Sequence, residues 1–195
     1  MIIVITGTSR GIGHNIANYY LNNGDVVIGC SRSSSTIDHP NYTHYVVDLV
    51  NEDELNSFTK SVSKTFKTID ILINNAGIAS MNHFLLTPLE TSRRLMNVNF
   101  FAPLITIRGF INCLKKSQHP RVINFTTVAV PLNLEGELSY VASKSAVESM
   151  TKVLAKELST FKITVNAVGP TPVKTALTAS ITPEKLEKLL DQQAI

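Results

Sequence analysis

The N-terminal stretch of the sequence constrains the fold more than any other part. A short β-branched run, Ile2–Thr6, leads directly into the glycine-rich turn GTSRGIG at residues 7–13, and apolar residues at helical spacing follow until Asn23-Gly24, a typical helix stop. Strand, glycine turn and helix in this order predict phosphate binding, because glycines allow close backbone approach and the helix N-terminus offers unpaired N–H groups. The spacing is G-x-x-x-G-x-G rather than the commoner G-x-G-x-x-G, and a plain glycine-rich turn is the alternative.

The next strand indicates which dinucleotide such a turn would hold. Val26–Cys30 completes a βαβ unit, so the sheet is predicted to be parallel. NAD-binding folds place an acidic residue near the end of this strand, about 20 residues past the glycines, to bind the ribose 2′-hydroxyl. This sequence has no acid there and instead has Arg32, which together with Arg10 of the turn could neutralise a 2′-phosphate. We therefore expect NADP(H) rather than NAD(H), with a solvated loop arginine as the alternative for Arg32.

Strands and helices continue to alternate along the chain. Further strands are predicted at Tyr45–Val47, Ile69–Ile73, Arg121–Phe125 and Ile163–Val168. Long helices are predicted at Thr91–Leu114 and Ser139–Leu158, a shorter one opens at residues 51–53 with Asn51 or Asp53 as its cap, and a last one starts at Pro183-Glu184. The alternation predicts an α/β fold of the Rossmann type, a doubly wound parallel sheet with helices on both faces. Residues 1–195 are expected to form a single domain, since no repeat or linker divides them.

Polar residues follow several predicted strands, where open parallel sheets bind their ligands. Asp48 follows the third strand and could either hydrogen-bond an adenine or serve as a plain cap. The NNAG turn at residues 74–77 follows the fourth, and its asparagines and glycine tolerate left-handed backbone. Asn99 lies among apolar residues of the predicted long helix, so its amide must be hydrogen-bonded, either structurally or around a water or backbone carbonyl of an active site.

Tyr140 and Lys144 stand four residues apart at the start of a predicted helix, so their side chains are expected to share one face. An ammonium beside a phenol favours the phenolate and would bring the tyrosine pKa from about 10 towards the operating pH. Such a tyrosine could exchange a proton with a substrate oxygen. Because Tyr-x-x-x-Lys recurs by chance in helices, an exposed tyrosine beside a solvated lysine is the alternative unless other motifs support the pair.

Composition argues against several classes of protein. The formal net charge is +3 and the basic residues are scattered, so no nucleic-acid-binding face is expected. No apolar run approaches the ~18 residues of a membrane span, and the N-terminus lacks the charged flank of a signal peptide. Cys30 and Cys113 lie far apart and without metal-type spacing, which favours thiols in a reducing compartment. We expect a cytoplasmic protein with no metal and no membrane or nucleic-acid partner.

Together these motifs resemble the short-chain dehydrogenase/reductase family, in its branch called classical. The match runs from Ile3 to about Thr175, and the markers stand in the family's order and spacing. They are the TGxxxGIG turn at residues 6–13, Asp48, the NNAG turn at residues 74–77, Asn99, a hydroxyl residue near the end of the fifth strand, and Tyr140 with Lys144. Within the family, the chain resembles the 3-oxoacyl-ACP reductases.

The resemblance implies a role for each matching position. Tyr140 would be the general acid in carbonyl reduction and the base in alcohol oxidation, with Lys144 lowering its pKa and binding the nicotinamide ribose. Asn99 would hold a water of the proton relay, and Thr127 would take the place of the catalytic serine. The implied cofactor-binding residues are Gly7, Ser9, Arg10, Gly11, Ile12, Gly13, Arg32, Asp48, Leu49, Asn75, Ala76, Gly77, Tyr140, Lys144, Pro170, Val173 and Thr175.

Three departures from the family pattern bear on function. Thr127 keeps a hydroxyl where the family has serine, but its methyl restricts χ1 and is expected to narrow the pocket. The family's Pro-Gly pair after the sixth strand is Pro170-Thr171 here, so a positive φ is disfavoured. The chain also lacks the family's seventh strand, so either it stops early or a C-terminal part is missing; an exposed sheet edge and an incomplete substrate lid after Thr175 are expected.

The resulting prediction is an NADP(H)-dependent oxidoreductase that interconverts a carbonyl and a secondary alcohol, acting mainly as a reductase. Acyl-thioester, sugar-derived and xenobiotic carbonyls are all open as substrates. One alternative is a cofactor-binding or regulatory protein with little turnover, suggested by Thr127, Thr171 and the early stop; another is an isomerase or epimerase on the same fold. The two long helices are apolar on more than one face, and the family packs them in oligomers, so a homodimer or homotetramer is expected.

Overall fold

The computed structural model describes residues 1–173 together with Glu187 and Asp191. Its strands are β1 (Ile2–Thr6), β2 (Val26–Ser31), β3 (Tyr42–Val46), β4 (Ile71–Asn74), β5 (Arg121–Phe125) and β6 (Thr164–Val168). They form one six-stranded sheet in the order β3-β2-β1-β4-β5-β6, and every neighbouring pair is parallel. The strand order reverses between β1 and β4, which is where a doubly wound sheet opens its ligand-binding crevice.

Helices cover both faces of this sheet, as the sequence predicts. They are α1 (Gly11–Asn22), α2 (Glu52–Thr65), α3 (Leu89–Met96), α4 (Ala102–Leu114), α5 (Ala129–Leu132) and α6 (Leu138–Glu157). Successive residues of β1 enter different cores: Val4 joins the large apolar cluster with α2, α4 and α6, whereas Ile3 and Ile5 join the smaller cluster with α1. Each fully buried aliphatic side chain of this kind contributes about 1.5–3 kcal/mol. The Rossmann-type α/β fold is therefore confirmed.

The third strand is the element whose position differs most from the sequence prediction. It spans Tyr42–Val46 rather than Tyr45–Val47, and none of its residues is fully buried. Because β3 is an edge strand, its residues are only half covered, and the polar Thr43 and His44 interrupt the apolar run by which a strand is predicted from sequence.

At the other end of the chain, Glu187 and Asp191 are helical, and the rest of the helix predicted from Pro183-Glu184 lies outside the described residues.

The predicted continuous helix Thr91–Leu114 is interrupted in the structure. Between α3 and α4 lies a π-helical turn, Asn97–Phe101, which contains the buried Asn99. Pro103 follows in the first turn of α4 and has no N–H to donate to the carbonyl four residues earlier, which favours a break at this point. Such π turns occur frequently at functional sites.

A buried chain of polar side chains ties the ends of the central strands to the helices. Asn74 of β4 donates to the side-chain oxygen of Asn124 on β5 at 2.9 Å, and Asn124 donates in turn to the Thr151 hydroxyl of α6 at 2.9 Å. The Thr106 hydroxyl of α4 donates to the Asn74 oxygen at 2.8 Å. Since each buried amide has partners, this series of hydrogen bonds fixes the carboxyl ends of β4 and β5 against two helices.

Among the described residues, no helix is long and apolar enough to cross a membrane.

Candidate active site

A cavity of about 1320 Å³ opens at the carboxyl ends of the strands. Its wall comes from the segments that follow all six strands and from α3, the π turn and α6, with residues at 7, 9–12, 31–33, 47–50, 75–82, 125–129 and 170–173. Drug-sized ligands occupy roughly 300–1,000 Å³. The cavity is therefore large enough for a dinucleotide together with a small substrate.

Most residues singled out in the sequence line this cavity. They are Gly7, Ser9, Arg10, Gly11, Ile12, Arg32, Asp48, Leu49, Asn75, Ala76, Gly77, Thr127, Tyr140, Lys144, Pro170 and Val173. Gly13 and Asn99 are not part of the lining, and Thr175 lies outside the described residues.

The glycine turn after β1 has the geometry of an anion cradle. Gly7 and Gly11 have φ values of 79° and 62°, which residues with a side chain rarely adopt. A Cβ on Gly13 would collide with the Gly7 carbonyl oxygen and the Asn75 amide nitrogen. Arg10, the N-cap of α1, makes no side-chain capping bond, and the first turn has no acidic residue. The N–H groups and the positive end of α1 are thus left for an anionic ligand, so the turn fits a dinucleotide pyrophosphate.

Asn75 holds the loop after β4 against this turn. Its amide nitrogen donates to the carbonyl oxygens of Thr6 and Gly7 at 2.9 and 3.2 Å. The backbone N–H of Ala76 donates to the Thr6 hydroxyl at 3.0 Å. Asn75 therefore has a structural role in shaping the cradle, and its implied contact with a cofactor stays a prediction.

Two arginines and an aspartate line the cavity near the ends of β1, β2 and β3. Arg10 and Arg32 are exposed, and within residues 1–173 neither guanidinium has an ion-pair partner. Asp48 accepts from the Val50 N–H at 3.1 Å and so stabilises its own turn. Asn51 caps α2, as one of the two predicted candidates, by accepting from the N–H groups of residues 53 and 54. The unpaired guanidinium groups make this end of the cavity favourable for a phosphate.

Tyr140 and Lys144 both face the cavity from α6, as their spacing predicts, and both are almost fully buried, with 8% and 4% of their surface exposed. Burial raises the pKa of the Tyr140 phenol; a hydrogen bond with the Thr127 side chain lowers it in part, and the Glu137 carboxylate raises it further. Burial lowers the pKa of Lys144 to about 8.

The direction of the Tyr140 shift differs from the sequence expectation that Lys144 would lower this pKa. The expectation considered only two side chains on one helical face, whereas the folded chain buries both of them. Loss of water disfavours the phenolate, and the charge that acts on it, the Glu137 carboxylate, disfavours it as well. The Lys144 ammonium donates instead to the carbonyl oxygen of Phe125, the last residue of β5, at 2.7 Å.

Burial of Lys144 has a consequence for stability that can be measured. Between pH 8 and 10.5 the unfolded chain holds more protons than the folded one, so the free energy of unfolding rises with pH across this window. We expect wild type to gain roughly 2–3 kcal/mol relative to Lys144→Met between pH 7 and pH 10, at about 1.4 kcal/mol per pKa unit. Urea unfolding at both pH values measures this gain, with Lys152→Met, an exposed lysine of the same helix, as control. A difference between wild type and Lys144→Met that does not change with pH would contradict it.

Asn99 uses its whole amide in structural hydrogen bonds. Its oxygen accepts from the Ile78 N–H at 3.0 Å, and its nitrogen donates to the Ile78 carbonyl and to the Ser143 hydroxyl, both at 2.9 Å. The π turn is thereby joined to the loop after β4 and to α6. A Cβ on Gly77 would lie 3.3 Å from the Asn99 oxygen and 3.4 Å from the Lys144 nitrogen, so glycine lets this loop pass close to both.

Two of the three departures from the family pattern are accommodated in different ways. Thr127 lines the cavity and its side chain hydrogen-bonds with Tyr140, and its expected catalytic role stays a prediction. Among the described non-glycine residues only Asn133 and Lys162 have positive φ, so Thr171 has an ordinary negative φ. Its loop is held to the end of β5 by the Val128 N–H, which donates to the Pro170 carbonyl at 3.4 Å.

Sequence reasoning missed two charged residues that line the cavity. Glu137 precedes α6 and is 8% exposed, and Arg94 belongs to α3 and is exposed. Glu137 stands one helical turn before Tyr140, so its spacing could have identified it as a group that acts on the tyrosine. Arg94 carries no such signal, because only the packing of α3 beside α6 brings it to the cavity.

Comparison with known proteins assigns the chain to a family. The family model for short chain dehydrogenases matches residues 1–186. The chain therefore belongs to the short-chain dehydrogenase family and is an NAD(P)-dependent oxidoreductase. The reaction that this assignment supports is the reduction of a carbonyl group.

Individual relatives agree with this assignment. A 3-oxoacyl-(acyl-carrier-protein) reductase of Synechocystis sp. is 30% identical over 195 residues, covering 95% of this chain and 79% of the relative. The chloroplastic NADPH-dependent aldehyde reductase 2 of Arabidopsis thaliana is 31% identical over 215 residues, covering 98% and 79%. A crystal structure of 3-ketoacyl-(acyl-carrier-protein) reductase from Brucella melitensis complexed with NADH superposes with a TM-score of 0.88 at 25% identity, covering 96% of this chain and 81% of that one.

Proposed function

We propose that this chain is an NADP(H)-dependent reductase that converts a carbonyl into a secondary alcohol, with Tyr140 as the general acid. The observation that carries the proposal is a single cavity that joins the glycine cradle and the unpaired Arg32 to the buried pair Tyr140 and Lys144. A dinucleotide lying along the carboxyl ends of the strands would reach from one group to the other.

Each residue of the site has a role that follows from its contacts. When bound, the dinucleotide supplies the hydride. The Tyr140 hydroxyl, hydrogen-bonded with Thr127, donates a proton to the substrate oxygen, and the Thr127 hydroxyl holds that oxygen in place. Lys144, fixed by the Phe125 carbonyl, would lie beside a bound nicotinamide ribose and stabilise the negative charge that Tyr140 acquires.

The protonation state of Tyr140 supports the direction of reduction. A phenol is neutral at neutral pH, and burial raises the pKa of Tyr140 further, so the side chain carries the proton that reduction consumes. Alcohol oxidation needs the phenolate as a base, and burial disfavours that form. Reduction is therefore the proposed direction near pH 7.

The substrate is proposed to be a small carbonyl compound of the kind that the relatives' names indicate, an acyl thioester or an aldehyde. The proposed compartment is the reducing cytoplasm, which is consistent with Cys30 and Cys113 both being buried free thiols.

A cofactor-binding protein with little turnover is the competing function, and it predicts tight dinucleotide binding without reduction of any member of a broad carbonyl panel.

The preference for NADP(H) is tested by removing Arg32. Arg32→Ala loses one charge-assisted contact to the 2′-phosphate, so we expect NADPH to bind roughly 10- to 150-fold more weakly and NADH to bind as in wild type. Fluorescence titration with both dinucleotides measures the two affinities. Lys60→Ala, an exposed cation of α2, is the control for loss of positive charge. Equal losses for NADPH and NADH, or none, would argue against the preference.

We further propose that the chain forms a homodimer or homotetramer through its long helices. Phe101 at the end of the π turn and Val153 on α6 are about half exposed, and Leu85 and Leu86 of a neighbouring 3₁₀ turn are more so. Apolar side chains on adjacent helices are the typical core of an interface between copies. Sedimentation is expected to show at least a dimer at micromolar concentration, and a monomer would count against this proposal.

A further inference from the structure

A chain of hydrogen bonds runs behind the wall of the cavity and connects the segments that follow β1 and β2 through side chains of β3. The Thr8 and Tyr42 hydroxyls are 2.8 Å apart, and the Tyr42 hydroxyl is 2.7 Å from Nδ1 of His44. On the other side of the ring, Nε2 of His44 is 2.9 Å from the Ser33 carbonyl oxygen and 3.2 Å from the Ser31 hydroxyl. We call this series from Thr8 to Ser33 the polar strut.

The direction of each hydrogen bond follows from the chemistry of its ends. The Ser33 carbonyl can only accept, so Nε2 of His44 carries a proton. In the neutral ring Nδ1 then accepts, and the hydrogen bond comes from the Tyr42 hydroxyl. The Tyr42 oxygen in turn accepts from the Thr8 hydroxyl. The polar strut is therefore fully satisfied with one tautomer of a neutral histidine.

One end of the polar strut lies in the glycine turn, and the other lies in the wall of the cavity. Thr8 is completely buried inside the glycine turn. Ser31 and Ser33 both line the cavity and flank Arg32 on either side. The strut thus connects the turn expected to hold the pyrophosphate with the loop whose arginine is expected to meet the adenosine ribose.

Gly29 gives this connection the space that it needs. It lies on β2 opposite His44 in the strand register, and a Cβ there would collide with both the Thr8 hydroxyl and the Tyr42 hydroxyl. The two hydroxyls therefore occupy the volume of a side chain that β2 does not have. The Thr8 and Tyr42 hydroxyls fill the space beside Gly29 and are hydrogen-bonded to each other. Neither side chain can move without leaving a cavity in the packing, so the pair is held in one geometry.

We propose that Tyr42 and His44 are positioning residues for cofactor preference: through the polar strut they hold the 31–33 loop so that Arg32 stands ready for a 2′-phosphate. The inference rests on the proposed use of NADP(H). An arginine on an ordered loop loses less freedom on binding than one on a loose loop, so the strut favours the ligand that Arg32 contacts. A dinucleotide with a 2′-hydroxyl gains nothing from Arg32 and should depend on the strut much less.

The test is a set of fluorescence titrations with NADPH and NADH on five variants, four of them at residues of β3. Tyr42→Phe and His44→Phe cut the strut; His44→Gln keeps an amide N–H that can replace the bond to Ser33; Tyr45→Phe removes a hydroxyl from the opposite face of β3. We expect the two cutting variants to weaken NADPH binding roughly 10-fold and NADH binding less than 3-fold. His44→Gln should recover part of the loss, and Tyr45→Phe should match wild type.

Two measurements on the protein without dinucleotide separate positioning from general stability. Nitrogen NMR of the histidine ring should show Nε2 protonated and Nδ1 bare in wild type, and should change in Tyr42→Phe. Thermal unfolding identifies any variant that merely fails to fold.

Gly29→Ala, which displaces the two hydroxyls without removing either, should shift cofactor preference in the same direction as Tyr42→Phe.

Each outcome decides one claim. If Arg32→Ala loses NADPH selectively but Tyr42→Phe and His44→Phe weaken both dinucleotides equally, the polar strut is a structural element and the positioning role is overturned while the NADP(H) preference stands. If wild type itself does not prefer NADPH, the preference and the role that depends on it both fall. A bare Nε2 in wild type would also overturn the strut as drawn.

Discussion

Tyr140→Phe is expected to lower the rate of carbonyl reduction by roughly 10²- to 10⁴-fold, the usual contribution of a positioned general acid. The substitution removes one hydroxyl from a ring that is already buried against Leu95 and Ala129, so the packing of the site should remain intact. The hydroxyl is the only proton donor that Tyr140 offers to a substrate. The rate should therefore fall at saturating substrate and dinucleotide, because the loss lies in the chemical step.

Binding of the dinucleotide separates this loss from damage to the fold. The glycine turn and Arg32 lie at the other end of the cavity, so NADPH should bind Tyr140→Phe within about 3-fold of wild type. Tyr45→Phe, which removes a hydroxyl from a ring packed on Phe58 away from the cavity, is the matched control and should keep full activity. If Tyr140→Phe reduced substrate as fast as wild type, another group would have to donate the proton and the proposed role of Tyr140 would fall.

Local patterns predicted most of the fold, and the exceptions share a physical cause. β1 spans its predicted residues and α1 ends directly before its predicted stop, because strand and helix are each defined by neighbouring residues; α1 begins at Gly11, inside the predicted turn. β3 is different because its half-covered residues have no strong apolar pattern. The π turn depends on Pro103 and on the partners of Asn99, which are distant in the sequence. Properties that depend on long-range contacts could not be predicted from spacing alone.

The same distinction applies to the site. The spacing of Tyr140 and Lys144 predicts a shared helical face, and both residues line the cavity. The pKa of Tyr140 has the opposite direction to the prediction, because the rest of the chain buries the phenol and the Glu137 carboxylate raises its pKa further. Likewise, Tyr42 and His44 carry no motif, and only the pairing of β3 with β2 brings them near the glycine turn.

Gly13→Ala tests the closeness of that turn and should have the second large effect. A single methyl at this position would meet the Gly7 carbonyl oxygen and the Asn75 amide nitrogen, so α1 must move away from the turn or Gly7 must rotate. Overpacking of this kind destabilises by typically 1–3 kcal/mol. Since the displaced atoms form the cradle itself, we also expect both NADPH and NADH to bind at least 10-fold more weakly, as measured by titration and by urea unfolding.

Gly24→Ala is the control that distinguishes crowding from backbone strain. Gly24 has φ of 79° but nothing within 4 Å of its missing Cβ, and it lies after α1 at the far end from the cavity. It should be destabilised by about 1 kcal/mol through strain alone and should bind both dinucleotides as wild type does. Gly13→Ala, whose helical backbone carries no such strain, should lose binding because of contact alone. If Gly13→Ala bound dinucleotides normally, the turn would have room to relax, and the close approach of α1 to β1 would not be what shapes the cradle.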